Sequence, residues 1–492
     1  MPQPTTPACN WGHYPSVWNR RQLLMATGGG FLGLALPYLL GRDGLLADDA
    51  TIPKPSSRLN PLAPKPTHHP AKAKAVIFIF CYGGPSQVDL FDPKPTLDQW
   101  HGKPIPVFKK EDAFFPDTKP TAYRSPYSFK KYGQSGIDIS EKFPALARHA
   151  DELCVIRSLH CESNNHAPAL FQMNTGFLLP GRPSMGAWVT YGLGSMSESL
   201  PACVVMWDHR GGPIGGAQNW GSGFLPAAYQ ATPLRSQGDP IVDLNPPNHI
   251  SPEQQKARLA LLKKLNEQHL EKNPGETELL ARINSYELAY RMQMAAPEVV
   301  DLNNEPEHVK KLYGIDGSIT DYFGRQCLMA RRLVERGVRF VQLYSGGGHQ
   351  QQSWDAHFGI QENHDLHCAE TDQPIAGLLA DLKQRGLLDS TLIIWGGEFG
   401  RMPTNQGSVG RDHNPRGFTM WLAGGGAKGG TLYGGTDEFG YVAVDKPVSL
   451  PDFHATCLHL LGLNHLKLTF HHMGRDMRLT DVSGEVVHDL IR

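Results

Sequence analysis

The sequence predicts an α/β fold, mainly because it contains short, largely apolar runs separated by helix-like segments. The runs are residues 75–81 (AVIFIFC), 153–159 (LCVIRSL), 338–344 (VRFVQLY) and 392–395 (LIIW). Runs of this length and composition are typical of strands that are covered on both faces. Three of the four runs lead directly into glycine-containing turns, and helical spacing of apolar residues separates the last two at 371–386. A second helix is predicted at 139–150, where Ser140 stands at the N-cap position.

Length and composition favour a loop-rich enzyme. A chain of 492 residues can form one large α/β domain with insertions, or two domains. The 47 lysines and arginines nearly balance 48 acidic residues, so a nucleic-acid partner held through its phosphates has no support. The 22 histidines, 52 glycines and 39 prolines fit a loop-rich enzyme with imidazole ligands. The eight cysteines have no paired spacing, so neither a zinc knuckle nor a redox CxxC motif is present.

The first 50 residues are predicted to be an export signal rather than folded structure. The pair Arg20-Arg21 precedes a glycine-diluted apolar run at 23–40, a pattern that resembles a twin-arginine signal. A membrane anchor or a general secretory signal is the alternative, although Gly28–Gly30 and Pro37 interrupt the run and weaken a stable span. We therefore expect a periplasmic or extracellular protein whose mature chain has no stable membrane span.

The remainder of the chain divides into a linker and one α/β region. Residues 51–70 are rich in proline, lysine and serine, which predicts a linker. Residues 71–492 contain all four apolar runs and form the predicted α/β domain. Within it, residues 245–303 combine leucines at helical spacing with a lysine and glutamate surface, which predicts a peripheral helical insertion without chemistry.

The segment 391–413 (TLIIWGGEFGRMPTNQGSVGRDH) carries the strongest concentration of functional residue types. Glu398 follows the run at 392–395, and the carboxyl ends of strands are where open α/β sheets keep their ligand sites. Arg401 and His413 lie further along the same segment. A carboxylate, a guanidinium and a histidine beside glycines suit a metal-assisted site that acts on an oxyanion ester. The alternative is a glycine-rich loop whose polar residues only cap one another.

Three other loops supply candidate ligands. Asp89 follows the run at 75–81 and its glycine turn, where a metal carboxylate could be delivered. His166 stands at the first turn of a predicted helix that ends at Gly176, where the helix dipole favours an anionic ligand, although a neutral cap or a packed ring is the alternative. Asp355 and His357 are two residues apart, so an extended backbone points both side chains the same way, as one metal requires.

The sequence resembles a family of secreted bacterial proteins called domain of unknown function 1501, which is sulfatase-like and belongs to the alkaline phosphatase and sulfatase superfamily. The resemblance covers about residues 70–490 and rests on five motifs: RSLHCESNNHAPALFQMNTG, GGPSQVDLFDPKP, SWDAH, WGGEFGR and GRDHNP. It implies a mostly parallel central sheet flanked by helices, with one or two divalent cations at the carboxyl ends of the strands. It also implies hydrolysis or transfer of sulfate or phosphate esters.

Carried over by position, the resemblance assigns metal-ligand places to five residues. Glu398 corresponds to a metal carboxylate that follows a strand, and His413 to a metal histidine later in the chain. Asp355 and His357 match the acid and the histidine of the intermediate segment. Asp89 follows the first strand, although its distance from that strand differs from the usual acidic pair.

The nucleophile is where the sequence departs from formylglycine sulfatases, which carry Cys-x-Pro-x-Arg before a helix that ends in Thr-Gly. Counting back from Thr175-Gly176 places His166 where the cysteine would stand. Cys161 does not restore the motif, because the required proline and arginine do not follow it. A serine nucleophile is equally unsupported, although Ser163 lies nearby.

We therefore expect an exported metal-dependent hydrolase of sulfate or phosphate esters that uses metal-bound water or an atypical nucleophile. The metal is a divalent cation (Zn, Ca or Mg/Mn), and the expected substrate is an anionic ester such as a sulfated or phosphorylated glycan. The predicted metal ligands are Asp89, His166, Asp355, His357, Glu398 and His413. The predicted catalytic residues are His166 and Arg401, and the predicted substrate-binding residues are Asn165, Arg401 and Asn414. The alternative is a catalytically inactive binding or assembly protein that keeps the fold.

Overall fold

The computed structural model describes residues 61–107, 109, 120–235, 251–272, 299, 301–348 and 350–492. The predicted export signal and residues 51–60 of the predicted linker lie outside this part of the chain. Residues 60–492 form one compact unit. Among the described residues, no helix is both long and apolar enough to cross a membrane.

A nine-stranded, mostly parallel sheet forms the centre of this unit, which confirms the predicted fold class. Its strands are β1 (Ala75–Cys81), β2 (Leu153–His160), β3 (Cys203–Met206), β4 (Thr232–Pro233), β5 (Phe340–Ser345), β6 (Thr391–Gly396), β7 (Phe418–Ala423), β8 (Thr431–Tyr433) and β9 (Val448–Ser449). The spatial order is β8-β2-β7-β6-β1-β5-β3-β4, with β9 also paired to β2. Strand β7 is antiparallel to both β2 and β6, and the other pairings are parallel.

Helices cover both faces of the sheet. The described α-helices are α1 (Gln87–Leu90), α2 (Pro95–Trp100), α3 (His166–Thr175), α4 (Met185–Leu193), α5 (Pro252–Lys272), α6 (Glu307–Leu312), α7 (Asp321–Glu335), α8 (Ile360–Gln384) and α9 (Leu450–Leu460). Four two-stranded ribbons lie outside the main sheet: Phe129–Tyr132 with Ile137–Ser140, Gly400–Arg401 with His413–Asn414, Gly435–Thr436 with Ala443–Asp445, and Phe470–His472 with Arg475–Met477.

Strand β1 shows how the sequence produces this layered arrangement. All seven of its residues are buried. Successive side chains of a strand point to opposite faces, so Ile77 and Ile79 join the core that includes residues of α7 and α8. Phe78 and Phe80 join the second core, which includes residues of α3, α4 and α9. An apolar side chain is therefore needed at every position of the strand.

Two predictions about the periphery change with the structure. The helix predicted at 139–150 is wrong, because the chain forms a strand up to Ser140 and then a 3₁₀ helix at Leu146–Glu152. Pro144 accounts for the difference, since proline disfavours helical backbone at the residue before it. Of the predicted insertion at 245–303, helix α5 is described and most of the rest lies outside the described residues.

The described part of the predicted linker runs along the α/β unit. The amide of Lys65 donates to the carbonyl oxygen of Leu193 at 2.9 Å, and the amide of His68 donates to that of Gly462 at 2.8 Å. These bonds tie residues 65–68 to the ends of α4 and α9.

Candidate metal centre

Loops from three parts of the sheet meet at one edge. Strands β1, β5 and β6 are parallel neighbours, so the loops that follow them leave the sheet on the same side. The chain that follows β2 enters α3 at His166. Strand β7 runs in the opposite direction, so the segment that leads into it, with His413 in the ribbon to Gly400–Arg401, reaches the same edge.

Four side chains form a cluster that could hold a metal ion: His166, Asp355, His357 and His413. One potential ligand atom from each residue lies within 4.8 Å of those of the others. Asp355 Oδ1 is 2.9 Å from His357 Nε2, 3.1 Å from His413 Nε2 and 3.3 Å from His166 Nε2. Four of the six predicted metal ligands are therefore brought together around one point.

In each of the three histidines, the Nδ1 atom lies beside a hydrogen-bond acceptor. His166 Nδ1 lies 2.7 Å from the Glu398 carboxylate, and His413 Nδ1 lies 2.6 Å from the carbonyl oxygen of Asn164. His357 Nδ1 contacts the side-chain oxygen of Gln406. A hydrogen on each Nδ1 satisfies these acceptors, and the Nε2 atoms then turn their lone pairs toward Asp355 Oδ1.

This arrangement fits a bound cation. The lone pair of a neutral imidazole repels a carboxylate oxygen when no hydrogen lies between them. A proton or a metal ion between the Nε2 atoms and Asp355 Oδ1 removes this repulsion. The buried Nε2 of His166 has no hydrogen-bond partner of suitable geometry among the described residues. Metal-binding histidines commonly donate their second ring nitrogen to a carboxylate or a carbonyl group, as all three histidines can here.

The electrostatics of the metal-free cluster point to a proton in the cation's place. Burial lowers the pKa of His166, but the nearby carboxylates of Asp355 and Glu398 outweigh it and raise the pKa to about 9. Burial would raise the pKa of Asp355, yet Arg401 and the three histidines hold it far below its ordinary value. Burial and the charge of His166 lower the pKa of His413 well below 6.5. The metal-free site therefore holds a proton on His166 and keeps His413 neutral.

Glu398 reaches the site beside His166 rather than within the four-residue cluster. Its side chain is fully buried, and both carboxylate oxygens accept from the amide of Gly83, at 3.0 and 3.2 Å. Oε1 also bonds His166 Nδ1. This predicted ligand therefore lies outside the four-residue cluster, where it can orient and polarise a histidine of the cluster.

Arg401, predicted to act in catalysis and to bind substrate, lies beside the cluster. Its guanidinium is fully buried and donates to Asp355 Oδ1 at 2.6 Å, to the carbonyl oxygens of Gly83 and Gly84, and to that of Arg411 at 3.1 Å. A buried charge requires such partners, and here they occupy all three guanidinium nitrogens. Arg401 therefore positions Asp355 and the glycine turn after β1.

Two more predicted residues have structural partners away from the cluster. Asp89 is fully buried and forms a two-point ion pair with Arg411, at 2.7 and 3.0 Å. The side-chain amide of buried Asn414 donates to carbonyl oxygens of Gly417 and Tyr441, at 3.1 and 3.0 Å. Asp89, predicted as a metal ligand, and Asn414, predicted to bind substrate, therefore lie outside the four-residue cluster and bond protein partners.

Asn165 is exposed, and it caps α3 by accepting from the amide of Ala167. It precedes His166 directly, so it stays beside the cluster.

Sequence reasoning missed two groups that contact the cluster. The Asn164 contact uses a backbone carbonyl, which carries no side-chain signal. Gln406 lies in a turn between Arg401 and His413, and only the fold of that turn brings it to His357. His364 and His367 lie three residues apart, and no role is predicted for them from the sequence. Both are fully buried in α8.

The chain was compared with protein families and with curated proteins. The model of the family described as protein of unknown function (DUF1501) matches residues 73–491. A search of curated proteins found no match.

Solved structures similar to this chain include a sulfatase, a synthase and a periplasmic domain. The PsFucS1 sulfatase from Pseudoalteromonas sp. has 13% identity and a TM-score of 0.33, over 80% of this chain and 68% of that one. The lipoteichoic acid synthase LtaP from Listeria monocytogenes has 10% identity and a TM-score of 0.32, over 82% and 76%. The C-terminal periplasmic domain of EcEptC from Escherichia coli, in complex with Zn, has 9% identity and a TM-score of 0.34, over 87% and 97%. All three are distant likenesses.

Proposed function

The chain belongs to the DUF1501 family, and from this premise we propose that it is an exported, metal-dependent hydrolase of sulfate or phosphate esters. The observation that carries the proposal is the convergence of three histidine Nε2 atoms on one oxygen of Asp355. A set of three imidazoles and one carboxylate suits Zn²⁺ better than Ca²⁺ or Mg²⁺, which prefer oxygen ligands. Zn²⁺ is therefore the cation we propose for this site.

The residues around the cluster have separate tasks in this proposal. A divalent cation held by His166, Asp355, His357 and His413 would act as a Lewis acid on the ester and on water. Glu398 and the carbonyl of Asn164 keep two of the histidines oriented through their Nδ1 atoms. His166 begins α3, whose amino-terminal dipole favours the negative charge of a sulfate or phosphate group.

A polar cavity next to the cluster offers room for the rest of the substrate. Its volume is about 630 Å³, and Glu162, Asn164 and Arg416 are among the residues that line it. The backbone carbonyl of Asn164 also bonds His413, so one residue contacts both the cavity and the cluster. A carboxylate can accept hydrogen bonds from hydroxyl groups, and amide and guanidinium groups can donate to anionic substituents. This chemistry supports a sulfated or phosphorylated glycan as the substrate class.

Metal analysis and an ester screen test the proposal. We expect protein purified without added metal to contain zinc, and to hydrolyse 4-nitrophenyl sulfate or a 4-nitrophenyl phosphate ester. His413→Ala removes one converging nitrogen and should abolish both metal content and turnover. His465→Ala is the matched control, because His465 is a buried histidine that bonds the carbonyl oxygen of Gly484 away from the cluster. Turnover that survives in His413→Ala would refute the assignment.

The alternative function is a metal-containing binding or assembly protein without turnover. Two observations favour it: no cysteine stands at the position of the formylglycine nucleophile, and Arg401 is committed to protein partners. Zinc bound at full occupancy, with no hydrolysis of any aryl sulfate or phosphate ester, would decide for this alternative.

A further inference from the structure

Buried polar side chains bond both ends of the loop that leads to Asp355. Strand β5 ends at Ser345, and the loop continues through Gly346 and Ser353 to Asp355. The amide of Gly346 donates to Asp208 Oδ2 at 3.2 Å. At the other end of the loop, the carbonyl oxygen of Ser353 lies 2.8 Å from His367 Nε2. Both ends are therefore held by side chains from other elements.

Charged groups connect these two ends. Arg210 bonds the Asp208 carboxylate at 2.8 and 2.7 Å and the Glu370 carboxylate at 3.0 and 2.8 Å. Glu370 in turn lies 3.1 Å from His367 Nδ1. The side chains of Arg210, Glu370 and Asp208 are only 16%, 13% and 6% exposed, so water screens these bonds weakly.

His367 links the charged groups to the loop that leads to Asp355. Its ring is fully buried and stacks on Trp354, with centroids 5.2 Å apart and planes 28° apart. Nδ1 faces the Glu370 carboxylate, and Nε2 faces the Ser353 carbonyl oxygen, so both ring nitrogens are used. Trp354 immediately precedes Asp355, which means that His367 contacts the two residues before the carboxylate of the cluster.

The glycine turn after β1 contacts the same loop. A side chain at Gly83 would place its Cβ 2.5 Å from the amide nitrogen of Asp355. The amide of Trp354 donates to the carbonyl oxygen of Tyr82 at 2.8 Å. Trp354 and Asp355 thus lie against the β1 turn, and Trp354 also packs on the ring of His367, so a shift of either contact would move the Asp355 carboxylate relative to the three histidines.

We propose that His367, supported by Glu370 and Arg210, is a positioning residue that fixes the Asp355 carboxylate for metal binding. The inference depends on the proposed metal site, but His367 itself is not one of the four residues of the cluster. Removal of His367 leaves Ser353 without one of its hydrogen bonds and leaves a void beside Trp354. The Asp355 oxygen can then move away from the point where the three Nε2 atoms converge, and metal affinity falls.

Zinc affinity of the metal-free protein, measured by competition with a chromophoric chelator, tests the proposal without any substrate. We expect His367→Ala to weaken Zn²⁺ binding on the order of 10-fold, as substitutions of groups that support metal ligands do. His454→Ala is the control, because His454 is equally buried and bonds one carbonyl oxygen, that of Met173. Both variants should lower thermal stability, but only His367→Ala should change the zinc Kd.

A second variant covers the case in which His367→Ala does not fold. Glu370→Gln keeps the volume of the side chain but removes the charge that holds His367 and Arg210, and it should weaken zinc binding less than His367→Ala does. A folded His367→Ala or Glu370→Gln variant with the wild-type zinc Kd would overturn the proposal, as would an equal loss in His454→Ala. Wild-type protein that fails to bind zinc would instead refute the proposed metal site.

Discussion

At the scale of single residues, one oxygen atom of Asp355 determines the chemistry of the site. It lies within 3.3 Å of three imidazole nitrogens, and it also accepts from Arg401 at 2.6 Å. Arg401 stabilises the carboxylate as an anion whether or not a cation is bound. The hydrogen bond from Arg401 therefore fixes the position of this oxygen relative to the three histidines.

The raised pKa of His166 gives metal binding a defined pH dependence. His166 must lose a proton from Nε2 before it can bind a cation, and its pKa in the metal-free protein is about 9. Proton and metal compete below that value, so we expect Zn²⁺ affinity to weaken about tenfold for each unit of pH below 9. Isothermal titration in buffers of different ionisation enthalpy should detect about one proton released per zinc bound.

The same shift affects the stability of the metal-free protein with the opposite sign. The pKa of His166 is raised from 6.5 to about 9, so its contribution to stability is fully present below 6.5 and is lost as the pH rises through 9. Glu398→Gln should reduce this contribution, because it removes one of the two carboxylates that hold the proton. Zinc affinity that does not change between pH 6.5 and 9 would contradict the assignment of His166 as a ligand.

The candidate site could be predicted from the sequence only where side-chain type and strand position both gave a signal. Asp355, His357 and His413 follow or precede buried strands, and the structure brings them together with His166. Arg401 gave the same signal, yet its donors bind backbone carbonyls and the Asp355 carboxylate. Which groups surround an arginine depends on contacts between distant segments, and spacing in the sequence does not contain them.

At the scale of elements, the turn at 405–410 supports the cluster from outside. The amide of Gln406 bonds the carbonyl oxygen of Gly410 at 2.7 Å, and the amide of Arg411 bonds that of Ala356 at 2.9 Å. This turn therefore places the Gln406 side chain on His357 and lies against the backbone of the same ligand. Its geometry has no room for a side chain at Gly410, where a Cβ would lie 1.7 Å from the carbonyl oxygen of His357.

Alanine substitutions at two glycines of this turn should separate steric crowding from backbone strain. Gly410→Ala must displace the backbone of His357, so we expect weaker zinc binding and a loss of about 1–3 kcal/mol of stability. Gly407→Ala, the control, meets no atom within 4 Å but has a φ of +59°, which costs about 1–2 kcal/mol. Thermal unfolding should show both losses, whereas zinc titration should show a change only for Gly410→Ala. Equal zinc affinity in the two variants would contradict this account of the turn.

Elements were predictable where burial on both faces left a continuous apolar run. Strands β1, β5 and β6 lie where such runs predict them, because a buried polar side chain is costly unless it has a hydrogen-bond partner, as Gln342 of β5 has in Asn174. The error at 139–150 has a local cause in Pro144. The antiparallel direction of β7 had no signal, since a buried strand has the same composition in either direction.

At the scale of the whole molecule, the cysteines bear on the proposed export route. The seven cysteines among the described residues are all free and buried. A fold that holds buried thiols and no disulfide in this part of the chain can form under reducing conditions. This supports the proposal that the twin-arginine route, which carries folded proteins, exports the chain.

Substitution of the arginine pair tests that route. We expect Arg20→Lys combined with Arg21→Lys to retain the full-length protein in the cytoplasm, because a paired arginine motif is recognised by a receptor and lysine does not reproduce its geometry. Cell fractionation followed by immunoblotting of the periplasm and the cytoplasm measures the outcome. A substitution of Arg58 to lysine in the predicted linker is the matched control and should leave export unchanged. Normal export of the doubly substituted chain would exclude this route.

The position of His413 in the ribbon before β7 has a consequence for biosynthesis. A ribosome makes His166 early, while the last of the four clustered residues emerges only after most of the polypeptide has left the exit tunnel. A nascent chain cannot assemble the complete cluster before then, however much of the sheet has already paired. Under the proposed function, capture of zinc by the complete cluster is accordingly a late event in maturation.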